Sequence, residues 1–179
     1  MTSTRTKALD AAIDLLGTEG LRSLTHARID DRAGLPNGST SNYFRTRAAL
    51  LTGTVDAIVE RELSEVGMLA PASAQDLVDA VCGLIDYTTV ANRTVTAARL
   101  VLFLEAGRDP VLREALARGR TAMEASVVSA FAHLGARDPQ TAATALMACA
   151  EGLILHRIAR GDTTDPRPTF DLVVRAALS

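Results

Sequence analysis

GLPNGSTSNYFRTR, residues 34–47, runs from turn formers through small hydroxyl and amide side chains to Tyr43, Phe44, Arg45 and Arg47. It holds no acid, and the acid-free run extends from Arg32 to Val55 in a chain of net charge -2. A carboxylate in such a segment would repel phosphate, so its exclusion suits an element that approaches a polyanion. Two short helices joined at Gly34 make a candidate helix-turn-helix. Its second helix would enter the major groove with its N-terminal side chains toward the bases. An ordinary polar surface loop has the same makeup, and this stretch taken alone leaves both readings open.

Charge around the stretch is unevenly placed. Residues 1–47 carry seven Arg/Lys against five Asp/Glu, and residues 48–179 carry twelve against sixteen. A basic head on an acidic body fits a protein of which only the head meets a polyanion. Hydrophobic residues make up 47% of the chain and aromatics 3%, with no Trp, which favours helices over sheets. Cys82 and Cys149 sit in apolar surroundings and read as small core residues in a reducing compartment. Residues 1–17 lack an apolar signal core and no segment reads as long enough to span a membrane, so a cytoplasmic protein without a membrane partner is expected.

The prolines punctuate an all-α chain of about nine helices. Asp109-Pro110, Asp138-Pro139 and Asp165-Pro166 each pair an N-cap residue with a first-turn proline, and so mark three helix starts. The expected helices run from about Ser3 to Thr18, Thr25 to Gly34, Asn37 to Tyr43, Arg47 to Gly67, Ala74 to Ala91 and Thr94 to Gly107. Three more follow, from Pro110 to Leu134, Pro139 to Arg160 and Pro166 to Leu178. The first buries Ala8, Ala12, Leu15 and Leu16. Residues 1–46 form the expected head and 47–179 the body, linked by the helix from about 47 to 67.

The register from Thr4 to Leu51, with Arg5 and Lys7 at its start, "AAIDLLGTEG", "SLT", Ile29, "AGLPNGSTSNYF" and Arg47 ahead of "ALL", resembles the DNA-binding domain of the TetR family of transcriptional regulators. The resemblance implies double-stranded DNA as partner, with Thr25, His26, Arg28, Asn37, Gly38, Ser39, Thr40, Asn42, Tyr43 and Arg47 as contact candidates. Thr25 is also the expected cap of the second helix, and Phe44 is expected to fix the third helix to the first. Departures from the family pattern are Ser41 in place of an aromatic, Tyr43 in place of a frequent histidine, and Pro36 in place of a hydroxyl cap, which leaves Asn37 to cap. Asp30 stands where a small residue is usual, so its charge is expected to face solvent, or the helix to be rotated a little.

In the body, Tyr87, Thr88, Arg99, Phe103 and Met123 interrupt a Leu-, Val- and Ala-rich region. The resemblance implies an effector cavity there, and an apolar cavity with a few polar groups is the general form of a ligand site. The alternative places Tyr87 and Arg99 at the surface and Phe103 in the core, with Arg99 pairing with a carboxylate instead of an anionic ligand. The eighth helix is apolar nearly all round, which asks for a second chain. Leu146, Cys149, Leu153 and His156 share one face of it and Ala148, Gly152 and Leu155 another; with Val173 of the last helix they make a candidate two-fold interface.

His26, His133 and His156 have no metal-ligand spacing, and there is no nucleophile elbow or glycine-rich phosphate loop, so neither an enzyme nor a metal or other cofactor is expected. The expectation is a homodimeric regulator, most simply a repressor released from a palindromic operator by a small-molecule effector. The alternative is a helical ligand-binding or scaffold protein without sequence-specific DNA binding.

Overall fold

The computed structural model describes residues 3–65 and 70–179. Among these residues there are nine α-helices and no strand: α1 Thr4–Glu19, α2 His26–Ala33, α3 Ser39–Tyr43, α4 Arg47–Glu65, α5 Ala74–Asp86, α6 Arg93–Ala106, α7 Pro110–His133, α8 Pro139–Arg160 and α9 Arg167–Ala177. The end of α4 expected at Gly67 lies outside the described residues. A 3-10 turn at Leu21–Ser23 joins α1 to α2, and a π-helical turn at Tyr87–Ala91 follows α5. The sequence pattern alone runs α5 straight on to Ala91. Instead the Thr88 hydroxyl donates to the carbonyls of Leu84 and Ile85 and the Thr89 hydroxyl to that of Ile85, while the Asn92 amide reaches back five residues to Tyr87. Such side-chain competition for helix carbonyls widens the turn.

The helix starts follow from local chemistry. Asp109 accepts from the amides of Val111 and Leu112, and Asp138 accepts from the amide of Thr141. Asp165 accepts from the amide of Arg167, one residue later than expected because Pro166 itself serves as the cap.

The chain divides into two compact units, residues 1–63 with 94–119, and residues 64–93 with 120–179. In the first unit Ala8, Leu15, Leu16, Ile29, Leu50, Val55 and Ile58 share one core with Ala98 and Leu102 of α6 and Leu112 and Leu116 of α7. Ion pairs reinforce it: Arg61 with Asp10, Arg118 with Asp56, and Arg99 Nε 3.0 Å from Glu62 Oε1. Gly17 lets α1 come against α6, since a β-carbon there would lie 2.1 Å from the Thr94 carbonyl oxygen.

In the second unit Leu77, Ile85, Phe131, Leu146, Phe170 and Val174 make the core. The Arg157 guanidinium ties α8 to the π-helical turn, donating to Asp86 at 2.7 Å, to the Thr89 hydroxyl at 3.3 Å and to the Thr164 carbonyl at 3.2 Å. Arg167 pairs with Asp79 at 2.6 Å, joining α9 to α5. The expectation that no segment is long enough to span a membrane is corrected here: α8 has 22 residues and is apolar enough by length and composition. It packs instead against α5 and α9.

Candidate nucleic-acid interface

The head is built on two left-handed glycines. Gly34 ends α2 at φ 62, where its amide bonds back to the carbonyls of Asp30 and Asp31, and the Leu35 amide bonds to that of Asp30 at 2.9 Å. Gly38 opens α3 at φ 88. Both conformations cost a β-carbon-bearing residue strain, so the short turn between the helices is set by these two positions.

Thr25 caps α2 as expected, accepting from the Arg28 amide at 3.4 Å. Asn37 does not cap α3, because Gly38 holds the cap position and no side chain of the turn bonds there. The cap comes from Asp30, which corrects the expectation of a solvent-facing charge. Asp30 is 1% exposed. Its Oδ2 accepts from the Gly38 amide at 2.7 Å, and its Oδ1 accepts from the Thr40 amide at 2.8 Å and the Thr40 hydroxyl at 2.5 Å. Burial pushes this carboxyl up, but the Thr40 hydroxyl, the Thr40 and Gly38 amides and the nearby His26 together hold it below the usual carboxylate range.

The contact candidates fall into two groups. Asn37, Gly38, Asn42 and Tyr43 are exposed, Tyr43 at 51%, and Ser39 is half-buried with its hydroxyl donating to the Pro36 carbonyl at 2.6 Å. Thr40 is fully buried, so its assignment to base edges is corrected: its hydroxyl is spent on Asp30. Two further candidates brace the head from within. His26 Nε2 donates to the Phe44 carbonyl at 2.6 Å, and Arg47 donates to the carbonyls of Leu24 at 2.7 Å and Leu21 at 3.1 Å. Phe44 lies against Gly53 of α4, where a β-carbon would come within 2.5 Å of its ring, and under the Arg5 guanidinium at 5.6 Å. It therefore ties α3 to α4 as well as to α1.

The charge of the head is redistributed by pairing. Arg28 pairs with Glu19, and Arg32 pairs with Asp14 and with Glu19. Among the described residues, Arg5, Lys7, Arg22, Arg45 and Arg47 are exposed and form no ion pair. Bonds to neutral carbonyls leave the Arg47 charge intact. The positive balance of the head is thus carried by the start of α1, the 3-10 turn and the segment after α3. Asp30 is the residue of the head whose place the sequence pattern does not give. The available signal was an acid in a position usually small, eight residues before Gly38.

The body candidates are split between the two units. Arg99 and Phe103 belong to the first, and Tyr87, Thr88 and Met123 to the second. Arg99 is paired with Glu62 and Tyr87 is exposed, as the alternative reading has them, while Phe103 is exposed instead of forming core. Met123 is half-buried. Of the interface candidates, Leu146 is 2% exposed and lies inside the core of its own unit, so it is corrected from partner-facing to interior. Cys149, Leu153, His156 and Val173 are half-buried. The open apolar face of α8 is the other one, with Ala145, Ala148 and Leu155 exposed, and Leu172 of α9 is 71% exposed. Among the described residues no cluster of three or more His, Cys, Asp or Glu is placed to hold a metal.

Residues 72–179 match the family described as the tetracyclin repressor-like C-terminal domain. The HTH-type transcriptional regulator BetI of Escherichia coli O17:K52:H18 is 28% identical over 167 residues, covering 90% of this chain and 85% of BetI. Among solved structures, a transcriptional regulator of Rhodococcus sp. Rha1 superposes with a TM-score of 0.84 at 20% identity, over 98% of this chain and 96% of that one. The multidrug binding protein EbrR complexed with ethidium superposes with a TM-score of 0.76 at 24% identity, over 98% and 99% of the two chains. With a family match over most of the body, and the head's helix-turn-helix present in the same all-helical fold, the chain belongs to the TetR family of transcriptional regulators.

Proposed function

We propose that the chain acts as a homodimeric repressor in the cytoplasm, bound to a palindromic operator and released from it by a small-molecule effector. The family consists of DNA-binding regulators and not enzymes. The observation that carries the DNA reading is the exposed edge formed by Asn37, Gly38, Asn42 and Tyr43, flanked by Arg45 and Arg47 in a stretch of sequence without Asp or Glu from Arg32 to Val55. In this reading Asn37, Ser39 and Asn42 approach base edges, while Tyr43, Arg45, Arg47 and the α2 end at Thr25, His26 and Arg28 lie along phosphates. The DNA-reading part is residues 1–46, and 47–179 bind effector and partner. The first unit cuts across that division, because α6 and the first part of α7 share the head's core. Motion of α6 would therefore reach the head directly as well as through α4. An effector that binds the two states of the body unequally would shift DNA affinity by that difference.

For the effector, the proposed contact residues are Tyr87, Thr88 and Met123 within the second unit and Arg99 and Phe103 within the first, with Arg99 reaching a ligand only by leaving Glu62. EbrR, of the same fold, is complexed with ethidium, which supports a small organic effector over a macromolecular one. Duplexes enriched by the protein from a random-sequence pool give an operator probe. Small molecules that raise the melting temperature and release that probe identify effectors. Failure to enrich any sequence would favour the alternative of a helical binding protein without sequence-specific DNA recognition.

Arg45→Ala should weaken binding on enriched and scrambled duplexes alike and reduce the slope of log affinity against log salt by about one. Arg45 is chosen because it is exposed and carries no brace comparable to that of Arg47. An unchanged slope in a salt titration would remove the segment after α3 from the phosphate contacts.

A further inference from the structure

α3 has only five residues, too few to hold a helix by its own hydrogen bonds. Its first amides point out of the helix with no partner inside it. The residue at its cap position is Gly38, which has no side chain to offer, and Asn37 beside it is exposed and uninvolved. What satisfies the start of α3 is a carboxylate from the preceding helix, eight residues before Gly38 and ten before Thr40. One side chain thus meets two amides and one hydroxyl of the element that faces DNA, and does so while 1% exposed. A buried carboxylate is tolerable only when its lone pairs are filled, and here both oxygens are engaged. Its negative charge also lies at the N-terminal end of α3, where the aligned peptide dipoles favour it.

We propose that Asp30 is the positioning residue of the recognition helix: its carboxylate, fixed on α2, sets where α3 begins and how it is turned, and so aims Asn37, Asn42 and Tyr43 at the DNA. This rests on the helix-turn-helix being the DNA-reading element. It also accounts for a buried acid at position 30, close to the acid-free run, since that charge is engaged by Gly38 and Thr40 and not presented to phosphate. Asparagine cannot replace it. An amide side chain has a single oxygen, and its NH2 would confront an amide or hydroxyl donor of Gly38 or Thr40.

The test uses the full chain, a duplex enriched by the wild-type protein from a random pool, and a scrambled duplex of equal length. Enrichment by the wild type establishes the DNA reading separately from the role of Asp30. Asp30→Ala and Asp30→Asn should lose about tenfold or more on the enriched duplex, the loss expected when hydrogen bonds to a charged group are removed, and less than about twofold on the scrambled one. Amide hydrogen exchange at Gly38 and Thr40 should accelerate at least about tenfold in both variants, with α1 and α8 unchanged. Thr40→Val, which removes one donor and keeps the shape, should fold normally and show a smaller change in the same direction. Specificity retained in both Asp30 variants, or a loss equal on the two duplexes, would overturn the assignment. So would faster exchange spread evenly over the whole first unit, because Asp30 would then be only a stability residue.

Discussion

Leu155→Glu is expected to convert the protein to a monomer and to lower its operator affinity about a hundredfold or more. Leu155 is 46% exposed on a face of α8 that also presents Ala145 and Ala148, and Leu172 stands 71% exposed on α9. Only 22% of the most apolar stretch of α8 is buried within the chain. In the proposed dimer a second copy packs across this open apolar face, small residues allowing close approach. A glutamate placed in such a contact must be desolvated without a partner. Two linked recognition helices gain roughly 10²–10⁴ in apparent affinity over one, and separation forfeits that factor. Sedimentation measures the first half of the expectation and operator titration the second. Leu146→Ala is the contrast: as an interior substitution it should cost about 2–5 kcal/mol of stability and leave the dimer formed. A Leu155→Glu variant that stays dimeric would take this face out of the interface.

Gly17→Ala is expected to destabilise the first unit by about 3 kcal/mol, near the upper end for added atoms in a packed site. The new β-carbon would sit 2.1 Å from the Thr94 carbonyl oxygen and 2.8 Å from Thr94 Cγ2. The nearest atom belongs to backbone, so no rotamer change relieves the overlap, and α1 must move off the start of α6. That movement opens the core in which Ala12, Leu15 and Leu16 meet Ala98 and Leu102. At this chain length the loss corresponds to a melting temperature lower by roughly 6–12 °C. DNA binding should fall with it, because α1 also packs against α2 and α3. Thermal denaturation of the variant with its melting temperature unchanged would show that the approach of α1 to α6 is looser than described.

The elements that were legible from the chain alone are those whose causes lie within a turn or two. Thr25 before α2, the Asp-Pro pairs before α7 and α8, and Gly34 after α2 act through bonds to residues two to four positions away, which their spacing displays. Ala8, Ala12, Leu15 and Leu16 recur at helical period and are all buried. The order of such marks makes the helix-turn-helix a candidate, and the family resemblance it carries implies the DNA partner. The π-helical turn at Tyr87–Ala91 was missed although its cause is local, because Thr88 and Thr89 read as ordinary helix residues until their hydroxyls are seen on the carbonyls of α5.

What depended on the approach of distant segments was not legible. Asp30 in sequence is a charge that belongs in water. Only the return of the chain at Gly34 brings the amides of Gly38 and Thr40 onto it, and that replaces the lost hydration. Thr40 looked like a base-reading hydroxyl for the same reason, its partner being hidden on another helix. Arg99 meets Glu62 across 37 residues of chain, so spacing could not choose between a ligand and a carboxylate. An all-round apolar α8 told that both faces want cover, but which one its own unit covers was decided by how α5 and α9 pack. Short-range hydrogen bonding and hydrophobic period are written along the chain, so they determined the helices and the family's head. Desolvation and charge pairing depend on what comes near in space, so they left the placing of each polar group to the tertiary structure.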